Sequence, residues 1–128
     1  MRKEAVNTGS APAAIGPYSQ AIRAGNTLYL SGQLGLDPET GNLREGIEAQ
    51  TRQVLDNLQA VAAAAGGSLD DIVKLTLLLV DLGDFARVNK IMATRFTQPY
   101  PARATYQVAA LPKAGRIEVE GVLVLPST

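Results

Sequence analysis

Between residues 27 and 34 apolar and polar side chains alternate. Leu28, Leu30, Gly32 and Leu34 share one side of an extended chain, and Thr27, Tyr29, Ser31 and Gln33 share the other. Gly25-Asn26 just before them is a favourable two-residue turn, so "GPYSQAIRAGNTLYLSGQL" reads as a hairpin. "LDPETGN" then supplies the Pro and Gly of a loop. From residue 47 to 65 the period changes. Ile47, Thr51, Val54, Leu58, Val61 and Ala65 recur at spacings of four and three, the stripe of an amphipathic helix, and Gly66-Gly67 ends it. "DIVKLTLLLVD" is too short and too rich in Val, Leu and Ile for anything but a largely buried strand.

Asp81 or Asp84 can cap a second helix with Phe85, Val88, Met92 and Phe96 on one face, stopped by Pro99 and Pro101. "ARATYQVAAL" and "RIEVEGVLVL" read as two strands joined by the turn "PKAG". The expected order is ββ-α-β-α-ββ, with room for a short N-terminal strand. This is an α+β sandwich: one mixed, mainly antiparallel sheet with both helices packed on one face. Two helices cannot cover both faces of such a sheet, which points to oligomerisation.

Composition adds mainly exclusions. The 128 residues fit a single domain, 1–128, with 46% hydrophobic and 19% charged residues and a formal net charge of zero. That balance argues against a nucleic-acid partner held by phosphate contacts. Neither cysteine nor histidine occurs, so thiolate chemistry, zinc-thiolate sites and the usual general base are absent. The first residues, "MRKEAVNTGSAP", contain no apolar signal region, and "LTLLLV" is far too short to span a bilayer. A cytoplasmic protein is the expectation.

Candidate chemistry gathers at a few polar residues. In "PYPARATY" Arg103 stands at the start of a strand, on one face with Thr105 and Gln107. It can be a solvated charge, a two-pronged hook for a carboxylate or phosphate, or the partner of Glu118 on an adjacent strand. Glu118 can be an exposed glutamate or, if partly buried, a general base. Tyr18 in "GPYSQ" can pack at an edge or line a pocket. Ser31-Gly32 inside a strand marks either a bulge or the close approach of another group. Asn89 on the second helix is left open by its position. No nucleophile-base triad, phosphate-cradling loop or metal cluster is evident.

The segments "APAAIGPYSQAI", "LYLSGQL", "QTRQVLDNLQAVAAAAG", "DIVKLTLLLVDLGDFARVN", "PARATYQVAALP" and "IEVEGVLV" together resemble the RidA/YjgF family. They stand in the family's order and span nearly the whole chain. The resemblance implies a chorismate-mutase-like fold and a homotrimer with active sites between subunits. It also implies hydrolysis of reactive 2-imino acids and their enamine tautomers, products of pyridoxal-phosphate enzymes, to 2-oxo acids and ammonia, without a cofactor. By the same resemblance Arg103 holds the substrate carboxylate and Glu118 positions or activates the attacking water. Tyr18, Ser31, Gly32 and Asn89 match other positions lining that cleft. Thr105 stands where many members carry cysteine, which leaves a backbone N–H there but no thiol. The loop before "PAR" is short, a departure that bears on substrate size. Rival readings are a small-carboxylate-binding regulatory trimer and an endoribonuclease or translation inhibitor.

Overall fold

A computed structural model describes residues 2–126. Six strands form one sheet: β1 (Lys3–Val6), β2 (Ala21–Ala24), β3 (Thr27–Leu34), β4 (Ile72–Leu79), β5 (Ala102–Gln107) and β6 (Ile117–Val124). Two helices, α1 (Ile47–Ala64) and α2 (Phe85–Ala93), complete the fold. The sheet order is β1-β2-β3-β6-β4-β5, with β4 and β5 parallel and the other neighbours antiparallel. The expected α+β class, mixed sheet, N-terminal strand and Gly25-Asn26 hairpin are all present. Gly25 takes φ 63°, and Thr27 pairs with Ala24 across the turn.

Strand order departs from the sequence reading in one respect. The strands on either side of "PKAG" do not form a hairpin. Instead α2 carries the chain from β4 to β5 as a parallel β-α-β unit, and β6 returns to the other side of β4, between β4 and β3. Adjacency in sequence cannot reveal this, because long-range pairing sets strand order. The connection is accordingly not a simple tight turn: Lys113 and Ala114 both adopt left-handed conformations, at φ 57° and 59°.

The helices bury the faces the periodicity assigns, with polar additions. Val54, Leu58 and Val61 of α1 pack with Leu75, Leu77 and Leu79 of β4 and Ile117 and Val119 of β6 in one core. Each such side chain, fully buried, is worth about 1.5–3 kcal/mol. Gln50, Gln53 and Asn57 are also buried on α1. Asn57 Nδ2 donates to the carbonyls of Leu34 and Leu36, at 3.1 and 3.0 Å. Gln50 Nε2 donates to Arg44 O (3.0 Å), while its Oε1 accepts from Arg116 N (2.8 Å). These amides tie the helix to the chain leaving β3 and to the start of β6, and the apolar stripe did not show them.

Helix α2 is shorter than its apolar spacing implies. It ends at Ala93, well before Pro99, where Thr94 Oγ1 donates to Ile91 O (2.6 Å); Phe96 is buried beyond the helix. Asp81 caps a short 3-10 turn (Leu82–Asp84) by accepting from Gly83 N at 2.8 Å. Asp84 stands at the α2 N-cap but makes no cap bond; its buried carboxylate accepts from Arg116 Nη2 at 2.8 Å.

Gly35 permits the closest approach of α1 to the chain leaving β3. A Cβ there would lie 2.6 Å from Gln50 Cα, a backbone atom with nowhere to move. Gly35→Ala is expected to cost about 1–3 kcal/mol through overpacking. Denaturant unfolding checks this, and an unshifted midpoint would contradict the close packing.

Candidate functional site

The site begins with an irregularity in β3. Leu30 pairs with Gly121 and Gln33 with Val119, so β3 spends one residue more than β6 over the same interval. The extra residue at Ser31-Gly32 is a β-bulge. It breaks the alternation expected for this strand: beyond Leu30 the buried position passes to Gln33, and Leu34 becomes half-buried beside Glu118. The sequence left a bulge and a close approach as alternatives at Gly32, and both occur. A Cβ on Gly32 would collide with the Glu118 carboxylate, so the missing side chain makes room for it.

Glu118 is half-buried on the sheet face away from the helices. Its pKa is raised above the usual carboxylate value, chiefly by desolvation and secondarily by the negative charge of Glu120, two residues on. Glu118, Glu120, Ser31, Gly32, Tyr18 and Lys113 contribute to the walls of a cavity of about 610 Å³.

Tyr18 reaches that cavity from a loop, not from a strand as the hairpin reading had it, since β2 begins only at Ala21. Gln20 organises the loop. Buried, it donates through Nε2 to Thr8 O (3.1 Å) and Pro12 O (2.7 Å), and its Oε1 accepts from Thr8 N (2.6 Å). Ser31 N donates to Gln20 O at 3.0 Å, joining the loop to the bulge. Gln20 escaped the sequence reading because a lone glutamine in a loop carries no periodic signal. The exposed Tyr18 hydroxyl accepts from Ile15 N at 3.4 Å.

Arg103 is built from another part of the chain. Its Nη1 donates to Asn89 Oδ1 at 2.6 Å, and its guanidinium carbon lies 5.1 Å from the centre of the Phe85 ring. Phe85 and Asn89 are four apart on α2, so one helix face offers a ring and an amide to the same cation. Nε and Nη2 have no partner among the described residues and leave one edge of the fork free. Thr105 is half-buried on the same side of β5. Val108 N donates to Leu79 O, so alternation along this end strand turns the Thr105 N–H away from β4.

The two groups do not meet within one chain. Arg103 is in register with Leu75 and Glu118 with Leu78, three residues apart on β4, which places them on opposite faces of the sheet. The direct Arg103–Glu118 pair considered from sequence is therefore absent, with β4 between their strands. Tyr18, Ser31, Gly32 and Glu118 gather on one side; Asn89, Arg103 and Thr105 gather on the other. Among the described residues no group of three His, Cys, Asp or Glu is placed to hold a metal ion, and no helix is long and apolar enough to cross a membrane.

Residues 8–125 match the model of the family described as Endoribonuclease L-PSP. The chain is 47% identical to the Bos taurus 2-iminobutanoate/2-iminopropanoate deaminase, over 95% of this chain and 90% of that protein. It is 52% identical to Reactive Intermediate Deaminase A, chloroplastic, of Arabidopsis thaliana, over 98% of this chain and 67% of that protein. The crystal structure of RidA from Psychrobacter sp. PAMC 21119 superposes with a TM-score of 0.94 at 54% identity, over 95% of this chain and 99% of that one. The chain thus belongs to the Endoribonuclease L-PSP family, which includes the RidA proteins.

Two expected outcomes follow from the Glu118 environment. With its pKa raised by folding, Glu118 binds a proton more tightly in the native than in the unfolded chain. Its contribution to stability is therefore greatest at low pH and is lost as pH rises from the usual glutamate range through the raised value. Unfolding midpoints of wild type and Glu118→Gln against pH will show wild type losing ground across that window; parallel curves would contradict the burial. Gly32→Ala is expected to displace the Glu118 carboxylate while the circular-dichroism spectrum stays native, and the pH dependence of the difference between the two proteins reports that displacement.

Proposed function

We propose that this protein hydrolyses 2-imino acids and their enamine tautomers to 2-oxo acids and ammonia, at sites shared between neighbouring copies in a homotrimer. The observation that carries the reading is the division of the site. A carboxylate-binding fork with a free edge lies on one sheet face and a glutamate of raised pKa on the other. Neither half suffices for the reaction, but the Arg103 side of one copy set against the Glu118 side of the next completes it. The relatives named as deaminases supply the reaction class.

The helix-free sheet face fits such an assembly. Tyr29, Tyr106 and Val124 are about half exposed there, at 52%, 58% and 45%, an apolar surface that association would cover. The end strand β5 places Arg103 and the outward Thr105 N–H at the rim of a subunit.

The chemistry follows from the inventory. The free Nε/Nη2 edge of Arg103 takes the substrate carboxylate, with Asn89 and Phe85 holding the guanidinium in one orientation. Fixing that end places the C=N carbon and makes attack by water a positioned event. The partner subunit's Glu118 accepts a proton from the water as its oxygen bonds to carbon and passes that proton to the imine nitrogen, which gives the carbinolamine. Glu118 then carries the hydroxyl proton to the amino group as the C–N bond breaks, ammonia leaves and the C=O bond of the 2-oxo acid forms, so one water is consumed per ammonia released and Glu118 is regenerated. A raised pKa brings Glu118 closer to the working pH of a general base. Tyr18 and Ser31 line the approach to that carboxylate.

2-Iminopropanoate or 2-iminobutanoate, generated by an amino-acid oxidase and trapped with semicarbazide, tests the activity. Wild type is expected to reduce the trapped product. Arg103→Ala and Glu118→Gln should each lower the rate by about 100-fold or more. Unchanged trapping with wild type would sink the reading. Mixed trimers of these two variants test the sharing of sites. With random assortment each interface has about one chance in four of pairing an intact Arg103 with an intact Glu118, so about a quarter of wild-type activity should return. No recovery in verified mixed trimers would show that the two residues do not serve one site.

A further inference from the structure

The turn "PKAG" carries an uncommon backbone. Lys113 and Ala114 stand one after the other in the left-handed region, at φ 57° and 59°, where Cβ crowds the following carbonyl oxygen. Glycine adopts that region freely, yet the glycine of this turn, Gly115, has an ordinary φ of −62°. Left-handed residues of this kind gather at functional sites, where their surroundings outweigh the strain.

The strained lysine stands in the wall of the Glu118 cavity. Of the residues lining that cavity three carry charge: Glu118, Glu120 and Lys113. Two acids thus face one base. Lys113 is exposed and forms no ion pair among the described residues, so no structural bridge uses its ammonium. A 2-imino acid is itself an anion. On entering a space that holds two carboxyl groups it meets repulsion before its carboxylate reaches the partner subunit's Arg103.

From the strained turn and the balance of charge we infer that Lys113 is a recruiting residue: its ammonium offsets Glu118 and Glu120 and draws anionic 2-imino acids into the site. The inference rests on the proposed reaction and adds to it a residue that acts on substrate entry, apart from bond making. The two cations divide the work. Arg103 is held by Asn89 and Phe85 and can clamp a carboxylate in one orientation. Lys113, on an exposed turn, is a point charge on a flexible stem. Such a charge raises the local concentration of a counter-ion without fixing its geometry. Glycine at 113 would relieve the backbone and remove the charge together, so the strain accompanies the ammonium.

Lys113→Gly and Lys113→Asn test this, because both new residues tolerate a left-handed backbone. Kinetics use 2-iminobutanoate, and calorimetry uses the product acid, 2-oxobutanoate. At low salt each variant should raise KM about threefold to tenfold, with kcat within about twofold of wild type. Binding of 2-oxobutanoate should weaken by a similar factor. Raising the salt to about 0.5 M should shrink both differences from wild type to under about twofold. Lys113→Arg, which keeps the charge, should match wild type. The denaturant midpoint of Lys113→Gly should rise as strain is released.

An unchanged KM, or a difference that salt does not alter, overturns the inference and leaves the deaminase reading intact. A midpoint lowered by Lys113→Gly would show that Lys113 supports the fold instead, which also overturns it. Absence of turnover with wild type overturns the deaminase reading, and the binding series then still decides whether Lys113 attracts a small carboxylate. Failure of wild type to bind 2-oxobutanoate overturns the inference.

Discussion

The strict alternation of side chains across a sheet is the constraint on which the rest of this molecule depends. Arg103 and Glu118 enter the core sheet at register positions three residues apart along β4, an odd number, and an odd number puts them on opposite faces. No adjustment of side-chain rotamer can overcome that separation. The fold accordingly gathers two separate groups of polar residues, one on each face. Around Glu118 the bulge at Ser31-Gly32 opens space for the carboxylate, and the Gln20-anchored loop closes one side. Around Arg103, α2 supplies a ring and an amide at one-turn spacing.

Buried polar groups fix the two helices against that sheet. Gln50, Gln53 and Asn57 fasten α1 to the chain after β3, the strand that carries the bulge, and Gln50 also receives the amide of Arg116, two residues before Glu118. Asp84 binds the Arg116 side chain from the N-cap position of α2. Helix positions and strand positions are thus linked by hydrogen bonds whose loss would leave buried groups unpaired, each worth about 1–3 kcal/mol. Rigidity on both sides of the sheet suits a reaction that depends on fixed distances.

Much of the architecture was legible in the residues. The 3.6-residue stripe of α1, the Gly66-Gly67 stop and the Gly25-Asn26 turn are local signals, and local geometry obeyed them. What was illegible is non-local. The insertion of β6 between β3 and β4 is decided by pairing between segments far apart in the chain, which the turn "PKAG" joining β5 to β6 could not disclose. The early end of α2 at Ala93 was hidden because Phe96 continues the apolar spacing while packing from outside the helix. At the site, Arg103, Glu118, Gly32 and Asn89 were named from the sequence, yet their distribution over two faces follows from strand order. Gln20 went unnoticed, and Phe85 was read only as part of an apolar helix face, for the opposite reason: their value at the site lies in what they touch.

Strand β5 is an end strand, and an unpaired strand edge invites further strands to add to it. Arg103 projects from that strand, exposed and charged, just after the proline pair at 99 and 101. Placing a permanent cation and prolines at such an edge discourages indiscriminate sheet growth while leaving room for one partner of complementary shape. The residue assigned to hold the substrate is thus also a guard on colloidal behaviour. A chain that lost the charge would have to protect its border by some other means.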